Sequence, residues 1–138
     1  MRFLMIAAFL PAIAVAQARC PWLNAATAGG VLGGTVEMTV TQTSCEFVRQ
    51  GMVLRIEVTP ASAPAAHCRP DAEPINVIGN HSVACQYQGN PRWVAEQVLG
   101  TVRDRFFVVR VSTSDRSMAK TLREKARKVA EQVAGILF

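Results

Sequence analysis

From Thr35 onward the apolar positions fall into short runs of period two, and near the end of the chain the period lengthens to that of a helix. Thr35 to Thr41 alternates, with Val36, Met38 and Val40 on one side and Glu37, Thr39 and Thr41 on the other. This is the pattern of a half-buried strand, whose successive side chains point to opposite faces. Ser44 to Val48 and Met52 to Thr59 read as a hairpin turned at Arg49-Gln50-Gly51, where the glycine takes the positive φ of a tight reversal. Leu54, Ile56 and Val58 face inward in this reading, Arg55 and Glu57 face water, and Pro60 ends the strand.

Pro60 to Pro74 is rich in Pro and Ala and has hardly any large apolar residue, so it reads as a loop that Cys68 ties down. Ile75 to Gly79 then leads into a strand over Ser82 to Tyr87. Trp93 to Leu99 and Arg105 to Ser112 form a further hairpin with its turn within Gly100 to Asp104, although the first arm also admits a helical turn. In the second arm Phe107, Val109 and Val111 share one face and Phe106, Val108 and Arg110 the other, the composition of a central strand covered on both sides.

Two helices bracket these strands. Trp22 to Gly34 reads as a short one with Asn24 as N-cap and Gly33-Gly34 as its stop. Gly29 and Gly30 within it suggest close packing on a sheet, since no phosphate-cradling glycine motif surrounds them. Ser117 to Leu137 is the clearest helix, its apolar stripe made by Leu122, Ala126, Val129, Val133 and Ile136, with Ser114, Asp115 and Ser117 competing as N-cap. The expected fold is therefore α+β, an antiparallel sheet of about five or six strands with a short N-terminal and a long C-terminal helix packed on it.

The first residues change the picture of where this domain works. Arg2, the apolar run Phe3 to Val15 and the small-x-small sequences Ala14-Val15-Ala16 and Ala16-Gln17-Ala18 predict a secretory leader, residues 1–18, cleaved after Ala16 or Ala18. The run is too short for a membrane span, and Pro11 interrupts it. Arg19 before Cys20 argues against a lipid-modified cysteine. What remains, residues 19–138, suits a single domain. Of fifteen Lys and Arg, cleavage removes Arg2, leaving fourteen against ten Asp and Glu and a net charge near +4.

Cys20, Cys45, Cys68 and Cys85 then read as two disulfides in an oxidising compartment. Pairing Cys20 with Cys45 and Cys68 with Cys85 closes a short loop each time, and by chain entropy each contributes about 3 kcal/mol. The rival use is a metal set of His67, Cys68, His81 and Cys85; adjacent His67 and Cys68 cannot easily converge on one ion, and no C-x-x-C spacing is present. No metal and no cofactor is expected.

Candidate chemistry is sparse. His67, Arg69 and Asp71 are the polar residues of the long loop, where function often resides, and their plain alternative is a solvated connector. Arg116, Lys120, Arg123 and Arg127 stack on one side of the C-terminal helix and would suit an anionic surface. The competing reading is a solvated face laced by Lys120–Glu124, Glu124–Lys128 and Arg127–Glu131 pairs. Mild charge without interleaved aromatics speaks against nucleic acid. His67 and His81 are the near-neutral bases, neither in a nucleophile motif, so no catalytic residue is assigned.

Cys20-Pro21-Trp22-Leu23-Asn24 with Ala25 to Gly34, Ser44-Cys45-Glu46-Phe47, Ile78-Gly79, Gly100 to Asp104 and the helix around Lys125 to Ala130 together resemble a group of small bacterial exported and lipoprotein-like domains of unknown function. The resemblance spans nearly all of the chain after the leader, in short motifs. It implies a helix, an antiparallel sheet and a closing helix with Cys20 bonded to Cys45, and it brings no activity; Arg19 departs from its lipoprotein members. The functional expectation is a secreted or periplasmic non-catalytic binding module for an envelope protein or small ligand. The alternatives are an adaptor to anionic lipid or cell-wall polymer through the basic helix, and a small hydrolase whose site carries no motif.

Overall fold

The computed structural model describes residues 18–70, 72–77 and 80–138; the expected leader, but for its last residue, lies outside the described residues. The described residues form seven strands in one antiparallel sheet and two helices: α1 (Ala25–Leu32), β1 (Glu37–Val40), β2 (Ser44–Arg49), β3 (Met52–Pro60), β4 (Glu73–Val77), β5 (Asn80–Tyr87), β6 (Val94–Val102), β7 (Arg105–Thr113) and α2 (Ala119–Leu137), with a 3-10 turn over Arg116–Met118 before α2. The strand order is β1-β2-β3-β7-β6-β5-β4. The seventh strand is β4, read from sequence as the end of a loop. As an edge strand it tolerates Pro74, which has no N–H for a ladder.

Residues that pair across strands share a face, so the register divides the sheet cleanly. Leu54, Ile56 and Val58 pair with Val111, Val109 and Phe107, and Val98 pairs with Val109. All are buried beneath the helices. Leu122, Ala126, Val129, Ala130, Val133 and Ala134 of α2 close this layer over β6 and β7, while α1 lies against β2 and β3. Each fully buried Leu or Val contributes about 1.5–3 kcal/mol by leaving water. The stripe closes on Leu137, which packs against the core, and not on Ile136, which is 58% exposed.

Polar contacts fix how the helices sit. Lys125 Nζ donates to Val31 O at 2.8 Å, satisfying a carbonyl at the end of α1. Arg123 donates to Glu96 Oε2 through Nε and Nη2 at 3.2 and 3.0 Å and to Glu73 Oε2 at 2.7 Å, so one guanidinium ties α2 to both β6 and the edge strand β4. Burial alone would lower its pKa, but these two carboxylates prevail and raise it.

The local signals act where they were read. Asn24 caps α1 by accepting from Thr27 N at 2.7 Å, and Gly33 ends it in the left-handed region. Gln50 and Gly51, both at positive φ, make the two-residue β2–β3 turn. Gly29 has a different reason from the one its sequence suggests: a Cβ there would sit 2.6 Å from Gly34 O, within the helix's own stop. The β6–β7 turn is confined to Arg103 and Asp104, and Gly100 stays in the strand, because the space beside it holds the ring of Phe107.

Both disulfides form, Cys20–Cys45 and Cys68–Cys85. The first fastens the segment carrying buried Trp22 and Leu23 to β2. The second joins the connector between β3 and β4 to β5 on the face away from the helices, and it withdraws both thiols from the alternative metal set.

Candidate functional site

The connector from Pro60 to Glu73 leaves the middle of the sheet and has to reach its far edge. The helices occupy one face, so it crosses the other, and Cys68 pins it there to Cys85. Beneath it lie Val83, Leu99 and Phe106. Among the described residues no element covers the rest of this face, and there the sheet presents a cleft of about 280 Å³.

Side-chain size explains the cleft. Val48, Val53, Ser112, Ala95 and Tyr87 form one row across five strands, the registers Val48–Val53, Val53–Ser112, Ala95–Ser112 and Tyr87–Ala95 placing them side by side. Val53, Ser112 and Ala95 in the middle make a floor, and Tyr87 at one side becomes a wall. Trp93 completes the aromatic side from the turn after β5. That turn is held by Trp93 N donating to Asn90 O at 3.0 Å and Arg92 N to Asn90 Oδ1 at 3.0 Å. It folds close over Tyr87 because residue 89 is glycine: a Cβ would meet the Tyr87 ring at 2.7 Å.

The neighbouring row is polar from end to end. Glu46, Arg55, Arg110, Gln97 and Cys85 stand side by side on β2, β3, β7, β6 and β5. Arg55 pairs with Glu46 at 3.5 Å and with Glu57 at 3.8 Å. Arg110 lies with its guanidinium carbon 3.5 Å from the centroid of Tyr87 and donates from Nη2 to Gln97 Oε1 at 3.2 Å. Gln97, 2% exposed, in turn donates from Nε2 to His67 O at 3.2 Å and to Cys85 Sγ at 3.4 Å. The disulfide that pins the loop and the arginine that walls the cleft therefore share one amide.

Arg110 is the residue under electrostatic tension. Its Nε is enclosed without a hydrogen-bond partner, and no carboxylate pairs with it among the described residues. Burial lowers its pKa and Arg55 adds to that effect, against opposing contributions from Tyr87 and Glu57. No family model matches the chain, and no curated protein matches it.

The residues singled out from sequence are elsewhere. His67 is exposed and contributes its backbone carbonyl to Gln97; Arg69 donates to Gln88 Oε1 at 2.7 Å; Asp71 lies outside the described residues. His67 and His81 line one open depression of about 450 Å³ beside Leu99 and Phe106. The basic side of α2 is largely engaged within the fold. Arg123 holds Glu73 and Glu96, Arg127 pairs with Glu124 at 3.0 Å and Glu131 at 3.4 Å, and Arg116 donates to Pro91 O at 3.2 Å. Lys120 is exposed.

Tyr87, Trp93, Arg55, Arg110 and Gln97 were not legible as a site. Tyr87 and Trp93 sit at strand ends, and the five converge only through pairings across the sheet. The one signal in the sequence was Arg110 itself, a charge on a face otherwise apolar in a strand read as central.

Proposed function

We propose that the protein is an exported, non-catalytic binding module of the envelope or secreted fraction, and that it holds a small ligand in the cleft between Tyr87, Trp93 and Arg110. The observation that carries this reading is the cleft's make-up: two aromatic walls, a floor of small residues and a half-buried guanidinium without an ionic partner among the described residues, all on the sheet face away from the helices. Sites of this kind are mostly apolar with a few placed polar groups. Two disulfides and the leader-like start support work in an oxidising compartment outside the cytoplasm. The anionic-surface reading is weaker, since Arg123 and Arg127 each already meet two carboxylates.

A screen of small molecules by two-dimensional amide NMR on the oxidised protein tests the proposal. Perturbations gathered on Tyr87, Trp93, Ala95, Arg110 and Ser112 support it. Perturbations gathered instead on Arg116 and Lys120 with anionic vesicles, abolished by salt, would replace it with the surface adaptor.

A further inference from the structure

Resting on the reading of the cleft as a ligand site, we propose that its ligand is a small monocarboxylate borne on a single six-membered ring, the acid group meeting Arg110 and the ring face lying against Tyr87 and Trp93.

Charge pairing within the fold singles out the acid group. Arg55, Arg123 and Arg127 each meet two carboxylates, whereas Arg110 meets none among the described residues. Its one side-chain hydrogen bond among those residues goes to a neutral amide, Gln97 Oε1, although a guanidinium carries five donors. A half-buried cation so placed is more weakly solvated than one at the surface, while the charge of Arg55 beside it is offset by Glu46 and Glu57. A planar carboxylate answers both the charge and the fork of donors.

Glu46 sets the upper limit on that charge. It lines the same cleft and is already paired with Arg55, so a second negative charge on the ligand would face it without a cation to spare. This favours a carboxylate over a phosphate dianion. Size guides the rest of the ligand: about 280 Å³ falls just below the usual range for small-molecule sites, the scale of a single ring. The ring's body would stack on Tyr87 and Trp93, and Asn90 and Ser112 also line the cleft and offer polar groups to its substituents. An arenecarboxylate and a uronic acid both present this chemistry.

The test uses the full oxidised chain with benzoate and glucuronate, each against its uncharged counterpart, benzamide and methyl glucoside, and with phenyl phosphate. Binding is read from the Arg110 Nε–H resonance and from Trp93 fluorescence, with Trp93→Phe identifying the signal against that of buried Trp22. One of the acids should bind at least about tenfold tighter than its neutral partner, the size that one charge-assisted hydrogen bond supplies. Which acid does so separates the aromatic from the sugar source. Arg110→Gln should abolish the preference and Arg110→Lys should keep part of it. Should Arg110→Gln fail to fold, the acid-to-neutral ratio in the unaltered protein still decides. Equal binding of benzamide and benzoate, and of the two sugars, overturns the carboxylate while leaving the cleft a ligand site. Tighter binding of phenyl phosphate than of benzoate overturns the single charge. Binding by none of the five at millimolar concentration overturns the inference, while a neutral ligand found in the wider screen would still uphold the cleft.

Discussion

Gln97 accepts from Arg110 Nη2 at 3.2 Å while its own amide nitrogen donates to His67 O at 3.2 Å. One buried side chain thus holds the wall of the cleft on one side and the crossing loop on the other. Replacing it with Leu keeps the volume and removes both bonds. We expect Gln97→Leu to lose about 1–3 kcal/mol, the cost of leaving buried polar partners unsatisfied. Urea unfolding measures the loss. Hydrogen exchange should show amides of 61–70 opening faster, and unchanged exchange there would show that the loop does not depend on Gln97.

The two disulfides should separate by what they release. They span 25 and 17 residues, so chain entropy assigns each about 3 kcal/mol. Removing Cys68–Cys85 by paired Ala substitutions should also free the connector and uncover Val83, Leu99 and Phe106, raising the binding of an apolar dye in the still-folded protein. Removing Cys20–Cys45 should lower the global unfolding midpoint without that dye signal before unfolding.

Gly100 faces the ring of the fully buried Phe107, and an added Cβ would lie 2.6 Å from both Phe107 Cζ and Ser82 Oγ. Gly100→Ala should cost about 1–3 kcal/mol through overpacking. Phe107→Ala should cost about 3–5 kcal/mol through the opposite defect, a cavity. The double variant should cost less than the sum, since the methyl partly fills the space the ring vacates; strict additivity in denaturant unfolding would refute the contact.

Much of the fold was readable because its devices are local. Asn24, Gly33 and the Gln50-Gly51 turn act within a few residues of themselves, and the alternation in Met52 to Thr59 needs only one buried face. β4 escaped notice because Pro74 stands within it and its β formers, Ile75 and Val77, make an alternation of only three residues, too short to mark a strand by itself. The cleft was hidden for another reason. Glu46, Arg55, Arg110 and Gln97 lie far apart in the chain, and only the pairing registers bring them into line. The basic spacing on α2 was visible, but its acidic partners Glu73 and Glu96 come from the sheet, so a stripe that looked free is largely occupied.

Arg123 meets Glu96, whose side chain is 10% exposed, and Glu73, which is 60% exposed. Arg123→Met removes the cation and leaves Glu96 buried beside apolar neighbours. With the Arg123 side chain 40% exposed, solvent screening reduces the usual cost of breaking a buried pair to about 1–2 kcal/mol. The double change Arg123→Met with Glu96→Leu should recover most of that loss. A double variant as unstable as the single one, in thermal unfolding, would contradict this account.

Acid should loosen the start of α2. Asp115 accepts from Ser117 Oγ at 2.7 Å and Ser117 N at 3.0 Å, and these bonds hold its pKa below the ordinary value. Glu124 is held down likewise by Arg127. A folded pKa below the unfolded one gives stabilisation that is complete above the ordinary Asp value of about 3.9 and disappears as pH falls through the lower folded value. Carboxyl NMR titration should place Asp115 below that value, with Ser117 amide exchange rising over the same range and Asp115→Asn removing the change. Titration of Asp115 at or above the ordinary value would oppose it.

β3 and β7 are the one neighbouring pair in the sheet that is not consecutive in the chain; each of the others joins strands adjacent in sequence. Two ribbons, β1 to β3 and β4 to β7, can thus zip up by short-range closure. Their union has to await the costliest encounter the topology demands. A chain caught before that moment carries two long bare margins, and in a crowd of its own kind those margins are templates for one another.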